Sequence, residues 1–299
     1  MNGKKLKVLE LFAGTRSIGK AFEEKGHEVF SVEWDEDFEN IDLYADILSV
    51  SANDILSKFG HPDVIWASPD CTTFSIAAIS HHRKRNPDTG NLDPVSDYAK
   101  FCDKVDQHVL QLIKDLDPIL YFIENPRGGM RKMIWMKSLP RYTVTYCQYG
   151  DTRMKPTDIW TNHPNPQFKP ICKNGDPCHV PAPRGSKTGT QGLKNSRERS
   201  VIPKLLCQHI VDICERYLLN QIEDCPLEYV WFDTMSDEEK AAHPEAETTG
   251  GYLKERTTAD NARKWWAGLS ADDRNIIFSL PNFDAAIFKE ITGIDVDAE

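Results

Sequence analysis

Four short apolar runs constrain this chain more than anything else in it: 7–12 (KVLELF), 29–32 (VFSV), 63–67 (DVIWA) and 119–123 (ILYFI). Helical spacing follows the first of them over 17–25 and precedes the last over 105–116. Strands that read as continuous apolar runs are buried on both faces. Strands alternating with helices therefore predict an α/β, Rossmann-like fold, a mainly parallel sheet covered on both sides. Ligands of such sheets sit beyond the carboxyl ends of the strands. Gly14, Glu33, Cys71 and Glu124 each stand at such an end.

The remainder of the chain reads differently. Residues 76–100 and 150–200 are rich in Pro, Gly, Asn and charge, and are expected to be long functional loops. Periodicity returns over 201–219, and Pro226 marks an expected boundary between a catalytic domain, 1–221, and a small, mostly helical module, 226–299. In that module 258–268 and 271–280 look helical, the latter entered by a Ser270 cap with Asp273 in its first turn. The charge divides at the same place. Residues 222–299 hold 18 Asp/Glu against 7 Lys/Arg, which leaves 28 acidic and 29 basic residues in 1–221. The net −10 is thus a property of the tail, while basic clusters at 81–85, 127–137 and 184–204 suit a polyanionic partner. No stretch approaches the roughly 20 apolar residues of a membrane span, and the polar, basic 1–7 lacks the pattern of a signal peptide. Eight irregularly spaced cysteines do not read as a disulfide framework, so the expectation is a cytoplasmic protein with reduced thiols and no membrane partner.

Three constellations carry chemistry. A glycine turn after the first strand, 12–15 (FAGT), lets backbone N–H groups approach a nucleotide. Glu33 could accept ribose hydroxyls there, and Trp34 could stack on a base. In 68–75 (SPDCTTFS) a thiol at a strand end is placed for covalent catalysis. In Glu124-Asn125-Pro126 a strand-end carboxyl can deliver a proton or a strong hydrogen bond. Apart from these, Cys172, Cys178 and His179, with Cys147 or His163 nearby, could hold zinc, but the spacing fits no strong finger pattern and the expected chemistry needs no metal. The Trp265-Trp266 pair reads as a helix face docked on a small core.

Taken in order, these motifs resemble the DNA (cytosine-5) methyltransferase family over about residues 6–219, in a compact bacterial or phage-type form. The segment 9–14, with Phe12, Ala13, Gly14 and Thr15, is similar to the family's methionine-site motif, and Glu33-Trp34 to its ribose motif. Asp46-Ile47 resembles the acidic contact to adenine, Pro69-x-Cys71 the nucleophile motif, and Glu124-Asn125 the glutamate motif. Tyr149-Gly150 opens something like the basic motif, in which Arg153 would be the third catalytic residue, and Ser200-Val201 begins something like the last motif, placing Ser200 against cofactor. The resemblance implies a class I fold with S-adenosylmethionine as cofactor and DNA as partner. It also implies methyl transfer to carbon 5 of cytosine through a Cys71 adduct, on a base taken out of the stack. An RNA cytosine-5 methyltransferase and an inactive nucleic-acid- or partner-binding relative stay open beside it. The chain is expected to act as a monomer, its acidic module being the place for any protein partner. The cluster at 81–85 would meet phosphates. A short target-recognition segment, 162–197, with readout from 184–197, would support a site of about two to four base pairs.

The departures from the family pattern are specific. Arg16 and Ser17 occupy positions of the turn that are usually small. Asp70 stands where a second proline is usual, and its carboxylate should disfavour the thiolate unless a cation offsets it. The family's Gln-x-Arg-x-Arg run is reduced to Arg153-x-Lys155.

Overall fold

The computed structural model describes residues 5–181, 196–219, 227–255, 259–279 and 283–296. They form two compact units, Leu6–His209 and one that contains Ile210–Glu299. The division falls inside a helix, Lys204–Leu219.

The first unit is built on a seven-stranded sheet. In chain order its elements are β1 (Lys7–Leu11), α1 (Ser17–Glu24), β2 (Glu28–Glu33), β3 (Leu43–Tyr44), α2 (Ala52–Lys58) and β4 (Val64–Ala67). There follow α3 (Ile79–His82), β5 (Arg83–Arg85), β6 (Leu92–Pro94), α4 (Asp97–Leu116), β7 (Leu120–Pro126), β8 (Arg141–Thr145), β9 (Pro156–Thr161), α5 (Ser196–Ser200) and α6 (Lys204–Leu219). The sheet order is β3-β2-β1-β4-β7-β9-β8. The first five strands run parallel, and β9 is antiparallel to both β7 and β8. The α/β expectation is met, because the four apolar runs are four of the five parallel strands, β3 being the fifth.

Alternate side chains of those strands feed two layers. Leu9, Leu11, Ile65, Ala67 and Ile123 join one buried cluster with Ile55 of α2 and with Cys102, Val105, Val109, Leu112 and Leu116 of α4. The alternating three- and four-residue spacing of those α4 positions is what makes the helix amphipathic. On the other face α1 comes so near the sheet that a Cβ on Gly19 would lie 2.4 Å from Glu10 Oε2. Gly19 is therefore a packing residue.

Several boundaries differ from those expected. Residues 97–100 are the first turn of α4, entered by a Ser96 hydroxyl that accepts the Ala99 N–H at 3.1 Å, and β5 pairs with β6 inside the supposed loop 76–100. The supposed loop 150–200 contains β9, and α6 begins only after Pro203, whose carbonyl accepts Leu206 N–H and Cys207 N–H. Glu124, Asn125 and Pro126 lie within β7, because β9 prolongs the ladder opposite them, Glu124 facing Ile159 and Pro126 facing Thr157.

The second unit contains an antiparallel pair, β10 (Leu227–Trp231) with β11 (Gly251–Glu255), which helical periodicity did not predict. Its helices are α7 (Asp237–Ala242), α8 (Ala246–Thr249), α9 (Ala259–Gly268), α10 (Ala271–Phe278) and α11 (Ala285–Thr292). Ser270 caps α10 by accepting the Asp273 N–H at 3.1 Å. Trp266 is buried, its ring 5.8 Å from Phe278 and 5.3 Å from Phe288, so it docks on a small aromatic core as expected. Among the described residues no helix is long and apolar enough to cross a membrane.

Candidate active site

The carboxyl ends of β1, β4 and β7 open onto one cleft of about 980 Å³, all of it within the first unit. Phe12, Ala13, Gly14, Thr15, Pro69, Cys71, Glu124, Arg153 and Ser200 line it, so nine of the residues singled out in sequence converge. Glu33, Trp34, Asp46 and Ile47 lie outside that lining. Glu33 is buried and connected to the turn, Trp34 is 72 % exposed beside it, and Ile47 belongs to the core. Asp46 is an exposed cap, its carboxylate accepting the Leu48 N–H at 3.0 Å.

The turn after β1 is held in a left-handed path, with φ of +58° at Phe12, +49° at Gly14 and +55° at Arg16. Such values cost a side-chain-bearing residue about 1–2 kcal/mol, which the surroundings must offset. Here Ala13 N–H donates to the Val32 carbonyl at 3.1 Å, and Gly14 N–H donates to Glu33 Oε2 at 2.9 Å. Glu33 Oε1 also accepts Trp34 N–H at 2.9 Å and Asp35 N–H at 3.1 Å, which fills three of the carboxylate's roughly four lone-pair sites. Arg16 does not obstruct the turn, because its guanidinium folds back to Glu23 at 2.6 Å and is buried. Ser17 Oγ accepts the Ile202 N–H at 3.4 Å, tying the turn to the segment after Ser200.

The loop that carries Cys71 leaves β4 and folds back at once, Phe74 and Ser75 N–H both donating to the Cys71 carbonyl. Asp70 accepts Thr72 N–H at 2.8 Å, and Asn125 Nδ2 donates to the Pro69 carbonyl at 3.0 Å, which locks this loop to the end of β7. Gly128 is needed below it, since a Cβ there would sit 2.4 Å from the Phe74 carbonyl oxygen. Arg83 corrects one expectation. It does not face outward for phosphate but is buried beneath the loop, donating to Thr73 O at 3.1 Å and pairing with Asp103 at 2.6 Å, its guanidinium 4.0 Å from the Phe74 ring centroid.

Four titratable groups meet here, the Cys71 thiol, Glu124, Tyr146 and Lys155. Burial, then Asp70 and then Glu124 push Cys71 up to about 11, with Lys155 pulling the other way. Burial raises the Glu124 carboxyl too, against Lys155 and against hydrogen bonds from Tyr146 and Ser68. The Tyr146 hydroxyl donates to Glu124 Oε1 at 3.2 Å, and burial holds it well above the usual phenol range. Burial lowers Lys155, while Glu124 and Cys71 pull it back up. The Lys155 ammonium lies 4.4 Å from the Tyr146 ring centroid and donates to the Arg199 carbonyl at 2.9 Å. Its backbone φ of +26° is a further left-handed value at the site. A buried carboxyl and a thiol, both acted on electrostatically by one cation, are equipped to protonate a bound ring while attacking it.

Lys155 and Tyr146 were not picked out as site residues by sequence reasoning. Lys155 was visible as the second basic residue of Arg153-x-Lys155, whereas nothing marks Tyr146 except its place before Cys147. Arg153 lines the cleft with its guanidinium committed elsewhere, to Asp151 at 2.5 Å and to the Arg199 carbonyl at 3.3 Å. Of the expected reading segment, Arg184, Lys187, Gln191, Lys194 and Asn195 lie outside the described residues. Arg197 pairs with Asp37 at 3.3 Å and lies over the Phe38 ring.

A family model described as C-5 cytosine-specific DNA methylase matches residues 6–128, a span that includes both Cys71 and Glu124. A probable DNA (cytosine-5)-methyltransferase of frog virus 3 (isolate Goorha) is 28% identical over 228 residues, covering 70% of this chain and 100% of that protein. Among solved structures, the S. pombe Dnmt2 methyltransferase gives a TM-score of 0.38 at 14% identity, over 53% of this chain and 49% of that one. The Entamoeba histolytica methyltransferase EhMeth gives 0.38 at 15% identity, over 53% of each chain. This chain spans about half the length of those two structures.

Proposed function

We propose, from the premise that this chain is a divergent member of the C-5 cytosine-specific DNA methylase family, that it transfers a methyl group from S-adenosylmethionine to carbon 5 of cytosine in DNA through a covalent Cys71 adduct. The observation that carries the proposal is the convergence of Cys71, Glu124 and the left-handed turn of residues 12–16 on one cleft.

The turn suits a nucleoside cofactor. Phe12, Ala13, Gly14 and Thr15 offer it backbone, the exposed Trp34 ring offers a stacking surface, and Glu33 keeps one acceptor site for a ribose hydroxyl. Pro69 and Ser200 would complete the wall, and Asp46 could meet a base only by giving up its cap. S-adenosylmethionine supplies an electrophilic methyl group when bound. The chain's own residues do the rest. Cys71 Sγ, as thiolate, adds to carbon 6 of a cytosine turned out of its duplex, while the raised Glu124 carboxyl gives a proton or a strong hydrogen bond to ring nitrogen 3. Tyr146 and Lys155 hold Glu124 in place, and Lys155 opposes the charge of Asp70 at the thiol. After carbon 5 takes the methyl group, leaving S-adenosylhomocysteine, its proton passes to solvent, ring nitrogen 3 returns its proton to Glu124, and the Cys71–carbon 6 bond breaks, restoring the ring and the thiolate. Arg153, bound to Asp151, is a positioning residue in this reading, fixing the backbone that carries Lys155. The acidic unit after residue 226 is read as dispensable for the chemistry.

A labelled-methyl transfer assay on DNA, on RNA and without nucleic acid tests the substrate. A covalent adduct on 5-fluorocytosine DNA, lost in Cys71→Ala with DNA binding retained, tests the mechanism. Transfer to RNA alone, or full turnover by Cys71→Ala, would overturn the proposal.

A further inference from the structure

Outside the reacting groups, three thiols and an imidazole converge on one point. Cys147 lies in the turn Tyr146–Tyr149 that follows β8, and Cys172, Cys178 and His179 lie in the loop that follows β9. Their donor atoms all lie within 4.8 Å of one another. Cys172 Sγ is 3.2 Å from Cys178 Sγ and 3.2 Å from His179 Nδ1, and Cys178 Sγ is 3.6 Å from Cys147 Sγ and 3.9 Å from His179 Nδ1. A tetrahedral zinc ion bound at the usual Zn–S and Zn–N lengths requires donor-to-donor edges of about 3.5–3.8 Å. The four observed edges bracket that value.

We infer that Cys147, Cys172, Cys178 and His179 form a structural Cys₃His zinc site. A disulfide needs sulfurs about 2.05 Å apart and joins them in pairs, whereas three sulfurs and a ring nitrogen share this point. Thiolates with an imidazole in a closed four-donor set select zinc over the harder divalent ions. Binding replaces three S–H bonds with Zn–S bonds and releases three protons to solvent. The outer shell fits as well: Gln148 Nε2 donates toward Cys178 Sγ at 3.8 Å, as a sulfur carrying negative charge requires.

The site has work to do in the fold. Residues 162–181 contain neither helix nor strand, and a loop of that length inside a compact unit needs something to hold it. Two hydrogen bonds anchor it near the cluster, Cys172 N–H to Thr145 Oγ1 at 2.9 Å and Val180 N–H to the Thr152 carbonyl at 2.9 Å. His179 and Val180 then form part of the cleft wall, and Cys147 directly follows the Tyr146 that holds Glu124. Zinc would thus clamp the wall of the active cleft from behind without entering the chemistry. Sequence reading left Cys147 and His163 as alternatives, and the choice is made only where the loop after β9 folds back to the end of β8 and Cys172 N–H meets Thr145 Oγ1.

The test is metal content of the full chain purified without chelator, measured by plasma mass spectrometry. One zinc per chain is expected for the wild type and for Cys71→Ala, and none for the Cys172→Ser/Cys178→Ser double variant. Exchange of the wild-type metal for cobalt should give thiolate-to-cobalt charge transfer and the intense visible bands of a tetrahedral ion. Should the double variant fail to fold, the wild type alone decides: a strong chelator should lower its Tm, and added zinc should restore it. A metal-free wild type with Cys172 linked to Cys178, equal zinc in the double variant, or a Tm indifferent to chelator would each overturn the assignment.

Discussion

Replacing Asp70 with asparagine removes a negative charge from the residue beside Cys71 and keeps the oxygen that receives the Thr72 N–H. Cys71 titrates near 11, raised by burial and then by Asp70 and Glu124. At pH 8 a thiol with that pKa is thiolate in about one molecule in a thousand. Each unit by which the pKa falls multiplies the thiolate tenfold and lowers its intrinsic nucleophilicity about threefold, so the observed attack quickens about threefold per unit. Asp70→Asn should therefore speed iodoacetamide alkylation of Cys71 by about threefold for every unit the carboxylate contributes. Lys155→Met removes the opposing cation and should slow alkylation. The rate is read from the Cys71 peptide by mass spectrometry between pH 7 and 9, where the wild type should rise about tenfold per pH unit. An Asp70→Asn protein that reacts no faster than the wild type, or a Lys155→Met protein that reacts faster, would refute the electrostatic account of this thiol. Either result would mean that access to the cleft, and not charge, governs its reactivity.

Two further outcomes follow from buried charge. Burial pushes Glu10 up to about 7, against the Gly19 N–H and the Arg16 guanidinium. Between about pH 4.5 and 7 the folded state therefore keeps a proton that the unfolded chain has released. Stability is fully present below that window and falls as pH rises through it, by about 3 kcal/mol in all. Glu10→Gln should flatten the fall in urea midpoints between pH 5 and pH 8, and parallel profiles for the two proteins would rule the account out. Arg83→Met should cost about 3–5 kcal/mol, because it strands the largely buried Asp103 beside Asp106. Adding Asp103→Leu should recover much of that loss, and a double variant no more stable than the single would show that packing against Phe74 is what matters.

The parallel sheet was legible because burial on both faces forces β1, β2, β4 and β7 to be nearly continuous apolar runs, a pattern that few other folds demand. The candidate site was legible for a related reason, since strand ends are where such a sheet exposes side chains. Gly14, Cys71 and Glu124 could be ordered without knowing any distance. The antiparallel strands β8 and β9 were not legible. Their Thr, Asp and Arg side chains are tolerated only because Arg131 pairs with Asp158, and Thr143 Oγ1 donates to the same carboxylate at 2.8 Å. Composition therefore reads 150–200, which contains β9, as loop, and leaves 141–145 without an assignment.

What only the tertiary structure decided are pairings between residues far apart in sequence. Arg83 sits in a basic cluster that reads as surface, and its inward turn depends on Asp103 and Phe74 being beneath it. Arg16 looks like an obstruction in the turn after β1 until Glu23 is seen to draw it aside. Lys155 and Tyr146 join Glu124 because β9 lies between β7 and β8, and the loop after β9 folds back to the end of β8, bringing Cys172, Cys178 and His179 to Cys147. Periodicity and motif order are local properties that a chain carries along its length. The partner of a buried charge or a metal-binding thiol is fixed by whichever distant segment the sheet places next to it, and no local pattern encodes that neighbour.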